Sequence, residues 1–297
     1  MKRLTILLLL ILPIFMLSTC SDGTVDSSNN NSDLAQLEAQ FSSVGKVHNA
    51  GLKRIYNSIK NNGEINSRED LFNTIDKSGR NFLRNHYDSD ILQSEAINSF
   101  SEGFKSIRGL NPTTLNKKFT TFDSTTNEST PEQLNTEQKK LLKKVINVLT
   151  KNDELPVIQN KLDDINEEAA NKLNSKKELT PIVVATTVAE ASFEYWQKNM
   201  DDWQDIIREA GLKNNTTAKA NNNIPSASSD NGYDPGQTAA VDAGSALAGA
   251  GWSAVTGCAQ LTAGGCAAAG FVGAGVVGSA ADAAGQAYDY FFGEEKS

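Results

Sequence analysis

Between Asp242 and Asp282 the chain runs for 39 residues without a charge, and 23 of those residues are glycine or alanine. No other stretch restricts the fold so much. Each glycine costs about 1 kcal/mol against alanine in a helix interior, so a helix here forms only where close packing or lipid offsets that loss. Small residues recur at four-residue steps, Gly244 with Ala248, Gly249 with Ser253 and Gly257, and Gly270 with Ala274 and Gly278. This spacing flattens one helix face and lets two backbones approach. Ala263-Gly264-Gly265 predicts a break, so residues 238–292 are expected to form a Gly/Ala-rich helical hairpin, its second arm running from about Ala267 to Tyr290. In an unbroken helix Cys258 and Cys266 would stand about 12 Å apart, too far to bond. Across a turn they could form a disulfide. Large apolar residues in the run are few, Trp252, Leu261 and Phe271 among them, so insertion into lipid on hydropathy alone is marginal.

The rest of the chain carries a helical period and no competing strand alternation. Leu34, Leu37, Phe41, Val44, His48, Leu52, Ile55 and Ile59 follow at three- and four-residue steps, which predicts one long amphipathic helix ending at Asn61-Asn62-Gly63. Ser67-Arg68-Glu69-Asp70 reads as a capped helix start, and a further helix carrying Leu92, Ala96 and Phe100 stops near Gly109. Residues 111–135, rich in Thr, Asn and Ser, read as a long loop. Helices resume at "TEQKKLLKKVINVLT", then along Leu155, Ile158, Leu162, Ile165, Ala169 and Leu173. The last is expected to start at Thr180-Pro181, with proline in the first turn, and to end at Ala210-Gly211. About six helices over residues 34–211 predict an all-α fold, an irregular helical bundle. Residues 212–237 form a linker to the hairpin.

The N-terminus is an address rather than part of the fold. Lys2 and Arg3 precede an apolar segment, residues 4–17, which closes on Leu17-Ser18-Thr19-Cys20. Such a segment is shorter than the roughly 20 residues of a membrane span. Residues 1–19 are therefore expected to be a signal peptide, and residues 20–33, polar and without periodicity, a flexible tether. The formal charge of -8, more negative still without Lys2 and Arg3, offers no footprint for nucleic acid.

Two clusters in the helical domain invite a function. In "VGKVHNAGL", His48 falls on the apolar stripe beside Asn49, and Gly51 would admit another helix. In "AEASFEYWQKNMDDW", Ser192, Trp196 and Trp203 share a face flanked by Tyr195. Should these helices meet, His48, Asn49, Tyr195 and Trp196 would line a pocket. The plainer alternative is a hydrogen-bonded core histidine and an aromatic seam. Nothing points to an enzyme, since His48 and His86 are the only histidines and no nucleophile sits in a Cys/His or elbow context. The carboxylate pairs Asp163-Asp164, Glu167-Glu168 and Asp201-Asp202 read as solvated helix faces. No metal spacing, phosphate loop or dinucleotide fingerprint appears, so no metal or cofactor is expected.

Three resemblances extend these readings. The Leu17-Ser18-Thr19-Cys20 ending resembles the lipobox of bacterial lipoproteins, which implies lipidation of Cys20 and a membrane-anchored place in the cell envelope, at the outer membrane or cell surface. The arrangement of His48, Asn49, Gly51, Leu52, Tyr195 and Trp196 with a Gly/Ala-rich tail is similar to a group of Bacteroidota envelope proteins, and Asp123-Ser124-Thr125 resembles their short O-glycosylation motif. The tail itself resembles glycine-zipper segments and class II bacteriocins, which implies association with lipid or with partner helices. Together they lead to the expectation of a lipid-anchored envelope protein whose hairpin mediates membrane association or helix–helix self-association. A toxin-like membrane-active effector, or an adhesion or binding module with a structural tail, are the alternatives.

Overall fold

The computed structural model describes residues 30–62, 65–88, 90–108, 134–151, 153–214, 235–236, 238–241 and 263–292. Among the described residues there are eight helices and no strand, an all-α bundle. They are α1 Asn30–Phe41, α2 Val44–Asn62, α3 Arg68–His86, α4 Asp90–Arg108, α5 Thr136–Leu149, α6 Leu155–Lys172, α7 Lys176–Asn214 and α8 Ala263–Phe292. The expected signal peptide, Cys20, most of the expected tether, the expected loop up to residue 133, the bulk of the expected linker and the expected first hairpin arm beyond Val241, with Cys258, lie outside the described residues. So do Gly244, Gly249 and Gly257.

Helix starts follow local chemistry. Ser67 holds an extended backbone and its hydroxyl accepts from the Asp70 amide at 3.1 Å, with Glu69 and Asp70 in the first turn where the helix dipole favours acids. Asn135 opens α5 with a full capping box, its side chain accepting from the Gln138 amide at 2.9 Å while Gln138 accepts from the Asn135 amide at 2.8 Å.

Two departures from the sequence expectation follow local side-chain chemistry. The long first helix is two, α1 and α2, interrupted at Ser42-Ser43, where the Ser42 hydroxyl donates to the Ala39 carbonyl at 3.0 Å. Serine hydroxyls offer the backbone a partner outside the helical ladder. Helix α7 begins at Lys176, and Pro181 lies inside it. The cap is Ser175, which accepts from the Glu178 amide at 3.2 Å while Glu178 accepts from the Asn174 amide at 2.9 Å. This side-chain pair, rather than Thr180-Pro181, sets the start. Thr180 instead donates to the Lys176 carbonyl at 2.8 Å within the helix.

Helix α7 forms a spine contacting α1, α2, α5, α6 and α8, and α8 packs most extensively on α4 while also touching α2, α3 and α7. Buried side chains from all eight helices form one core, from Leu34, Leu37 and Phe41 on α1 to Val272, Val276 and Ala287 on α8. The second arm of the expected hairpin packs on α2, α3, α4 and α7. That arm starts at Ala263, so the expected break at Ala263-Gly264-Gly265 falls at the helix N-terminus, and the helix joins the bundle core. Its small residues find their close-packed partner inside the chain. Among the described residues no helix is long and apolar enough to cross a membrane, and Val157 is the only large apolar side chain exposed.

Candidate functional site

The two sequence clusters do meet. Asn49 on α2 donates through Nδ2 to the Ala191 carbonyl of α7 at 3.0 Å, and its Oδ1 lies 3.0 Å from His48 Nδ1. Small residues permit this approach, because a Cβ on Gly45 would lie 3.1 Å from the Thr187 carbonyl oxygen and would press on the Ala191 methyl. The aromatic residues line up behind the contact. Tyr195 and Trp196 stand edge to face at 5.2 Å, Trp196 and Trp203 at 5.2 Å, and Trp203 and Tyr56 at 5.8 Å between ring centroids. The Trp203 indole donates to the Tyr195 hydroxyl at 3.0 Å.

Four residues read as lining a pocket are therefore brought together, as a packed seam. His48, Ser192 and Trp196 are completely buried, Tyr195 and Trp196 pack edge to face, and the Trp196–Trp203 and Trp203–Tyr56 pairs are tilted. The seam locks α2 to α7 and positions the exposed face of α2.

The tail contributes a second interface. Gly273 faces the backbone of α4, where a Cβ would overlap the Ala96 carbonyl oxygen. Gly270, Ala274 and Gly278 are all buried on the same helix. Gly51 of α2 meets α8 too, since a Cβ there would lie 2.7 Å from Val276 Cγ2. At the far end, Arg68 of α3 pairs with Asp289 at 3.2 Å and lies 4.6 Å over the Phe72 ring. Cys266 sits in the first turns of α8, and the expected bond to Cys258 lies outside the described residues.

The open, polar space lies elsewhere. Between α2 and α3 runs a cleft of about 570 Å³, with Arg54 and Ser58 on the α2 wall, Asp70, Asn73 and Lys77 on the α3 wall, and Asn66 in the connection. Its floor is made by Ser78, whose hydroxyl donates to the Arg54 carbonyl at 3.3 Å and ties the two helices together. Asp70 is partly engaged, its Oδ2 accepting from the Asn66 amide at 3.2 Å. Neither Arg54 nor Lys77 forms an ion pair among the described residues, and the nearby Asp76 is taken by Arg80 at 2.8 Å. No motif in the sequence singles out this cleft. Asp70, Asn73, Lys77 and Asn81 recur at three- and four-residue steps on α3, a polar stripe indistinguishable in sequence from a solvated helix face.

Among the described residues, no group of three or more His, Cys, Asp or Glu side chains stands close enough to hold a metal ion. Compared with protein-family models, curated proteins and solved structures, the chain matches none.

Proposed function

We propose that this is a lipid-anchored protein of the bacterial cell envelope that works as a binding module. Its Gly/Ala-rich C-terminal segment serves helix–helix association, with α4 as the partner of its second arm. The observation that carries this reading is the seating of Gly273 against the Ala96 backbone. A helix whose small face is already matched by another helix has used the surface that would drive association in lipid. Among the described residues the scarcity of exposed large apolar side chains agrees, since a membrane-binding face needs a contiguous apolar patch. The anchor itself rests on the resemblance of Leu17-Ser18-Thr19-Cys20 to a lipobox; buried acyl chains contribute about 0.8 kcal/mol per CH₂, and two or more chains give stable anchoring.

Fractionation of a bacterial host expressing the Cys20→Ala chain tests both parts. The unsubstituted protein should sediment with membranes, and the variant should appear in the alkaline-carbonate supernatant. A variant that stays in the carbonate pellet would show that the tail is itself a membrane element. An unsubstituted protein found in the supernatant would remove the anchor.

A further inference from the structure

We infer that the cleft between α2 and α3 is a binding site for a small oxyanion, a phosphate- or carboxylate-bearing polar molecule held by Arg54 and Lys77. This names the ligand class of the binding reading above and rests on it.

In a chain of net charge -8, Arg54 and Lys77 face one cleft from opposite helices, with no ion-pair partner for either among the described residues. Arg80, one turn from Lys77, shows the usual alternative, pairing with Asp76 on its own helix. A guanidinium and an ammonium on facing walls suit a planar or tetrahedral oxyanion. The guanidinium can donate two parallel bonds, while the ammonium acts as a point charge. Asn73 and Asn81 add polar carboxamides along the same wall, the Asn81 oxygen already accepting from Arg84 at 3.3 Å.

Shape and lining exclude other classes. About 570 Å³ falls in the range of small-molecule sites, roughly 300–1,000 Å³. No aromatic or aliphatic side chain lines the cleft, so neither a sugar stacked on a ring nor an apolar ligand fits. Two cations on an acidic chain are too few for a nucleic acid, whose binding draws on many phosphate contacts. Asp70 lies seven residues from Lys77 along α3, about 10 Å at 1.5 Å per residue, and gives the cleft a negative end. A ligand with its anion at Lys77 and a hydroxyl or amine toward Asp70 matches both ends.

The phosphate could belong to a free metabolite or to a lipid headgroup at the anchoring membrane, and the two sources are separable. The full mature chain in neutral detergent should show a rise in melting temperature with inorganic phosphate or glycerol phosphate, absent with chloride at matched ionic strength. Arg54→Gln and Lys77→Gln should each weaken the apparent affinity about tenfold, and the pair should abolish the response. Both positions are exposed, and an unchanged helical circular dichroism spectrum would confirm that the variants fold. Binding of the Cys20→Ala chain to phosphatidylglycerol vesicles but not phosphatidylcholine vesicles, lost in the double variant, identifies a headgroup. A response to the free anions alone identifies a soluble ligand. Absence of both responses, or their persistence in the double variant, overturns the site. The detergent arm is independent of anchoring, so its failure leaves the fractionation result standing.

Discussion

Helices α7 and α8 are the two long elements of the bundle, and they hold it together by opposite means. Helix α7 fills space with bulk, burying Phe193, Trp196, Met200 and Trp203 along its length. Helix α8 removes bulk, burying Ala269, Ala274, Ala280, Ala283 and Ala284 and presenting Gly273 to a neighbouring backbone. Bulky side chains gain by the apolar area they take from water. Small ones gain by the number of backbone atoms they bring within dispersion range. A seam of the first kind fails when a ring is removed, and one of the second kind fails when an atom is added.

The comparison breaks most sharply at Trp196. Replacing it by alanine should cost about 3–5 kcal/mol, the range for emptying a large aromatic site, seen as a fall in the denaturant midpoint. On α8 the opposite change matters. Gly273→Val should cost about 3 kcal/mol, at the upper end for overpacking, because the atom it meets is a carbonyl oxygen rather than a movable side chain. If Gly273→Val unfolds at the same midpoint as the parent chain, the close approach to α4 is not what holds α8. Gly51→Ala should cost less, about 1–2 kcal/mol, since its nearest neighbour is the Val276 side chain. Val276→Ala in the same chain should return part of that loss, and a double-mutant cycle without coupling would separate α2 from α8.

The smallest effects are in pH. Hydrogen bonds from Lys144 and Lys172 hold the Glu168 carboxyl below the ordinary carboxylate range, so its contribution is present above that range and lost as pH falls through the depressed value. Burial, with Asp289 and Asp70 nearby, pushes the Tyr288 phenol of α8 above the usual 10. A raised phenol acts at the other end, its contribution present below pH 10 and lost as pH rises through the folded value. Glu168→Gln should therefore flatten the acid limb of a stability profile and Tyr288→Phe the alkaline limb. An exchange of those two effects would contradict the assignment.

How far these features could be read beforehand depends on where their causes lie. The Ser67 cap was legible because its cause is three residues away. The start of α7 was misplaced because two local signals compete, and Ser175 with Glu178 prevails over Thr180-Pro181. His48 and Trp196 could be placed on buried faces by period alone, but only the fold places Asn49 beside Ala191. The Gly270, Ala274 and Gly278 stripe pointed to the right helix, while the residue meeting another backbone is Gly273. Glycines crowd every face of α8, so spacing cannot say which one a neighbour will choose. The cleft was least legible, because two cations on separate helices become a pair only after α2 and α3 are tied through Ser78 and Arg54.

The contact between Ala96 and Gly273 also bears on the order in which the chain can mature. The chain emerges N-terminus first, from the ribosome and, for an exported protein, from the membrane channel, so α4 is available before α8. Until then the α4 surface at Ala96 and the α2 surface at Gly51 lack the helix that packs on them. Non-local closure of this kind slows folding and leaves apolar surface open to aggregation. A chain truncated before Ala263 should leave the α4 face at Ala96 open and be cut by protease faster than the full chain.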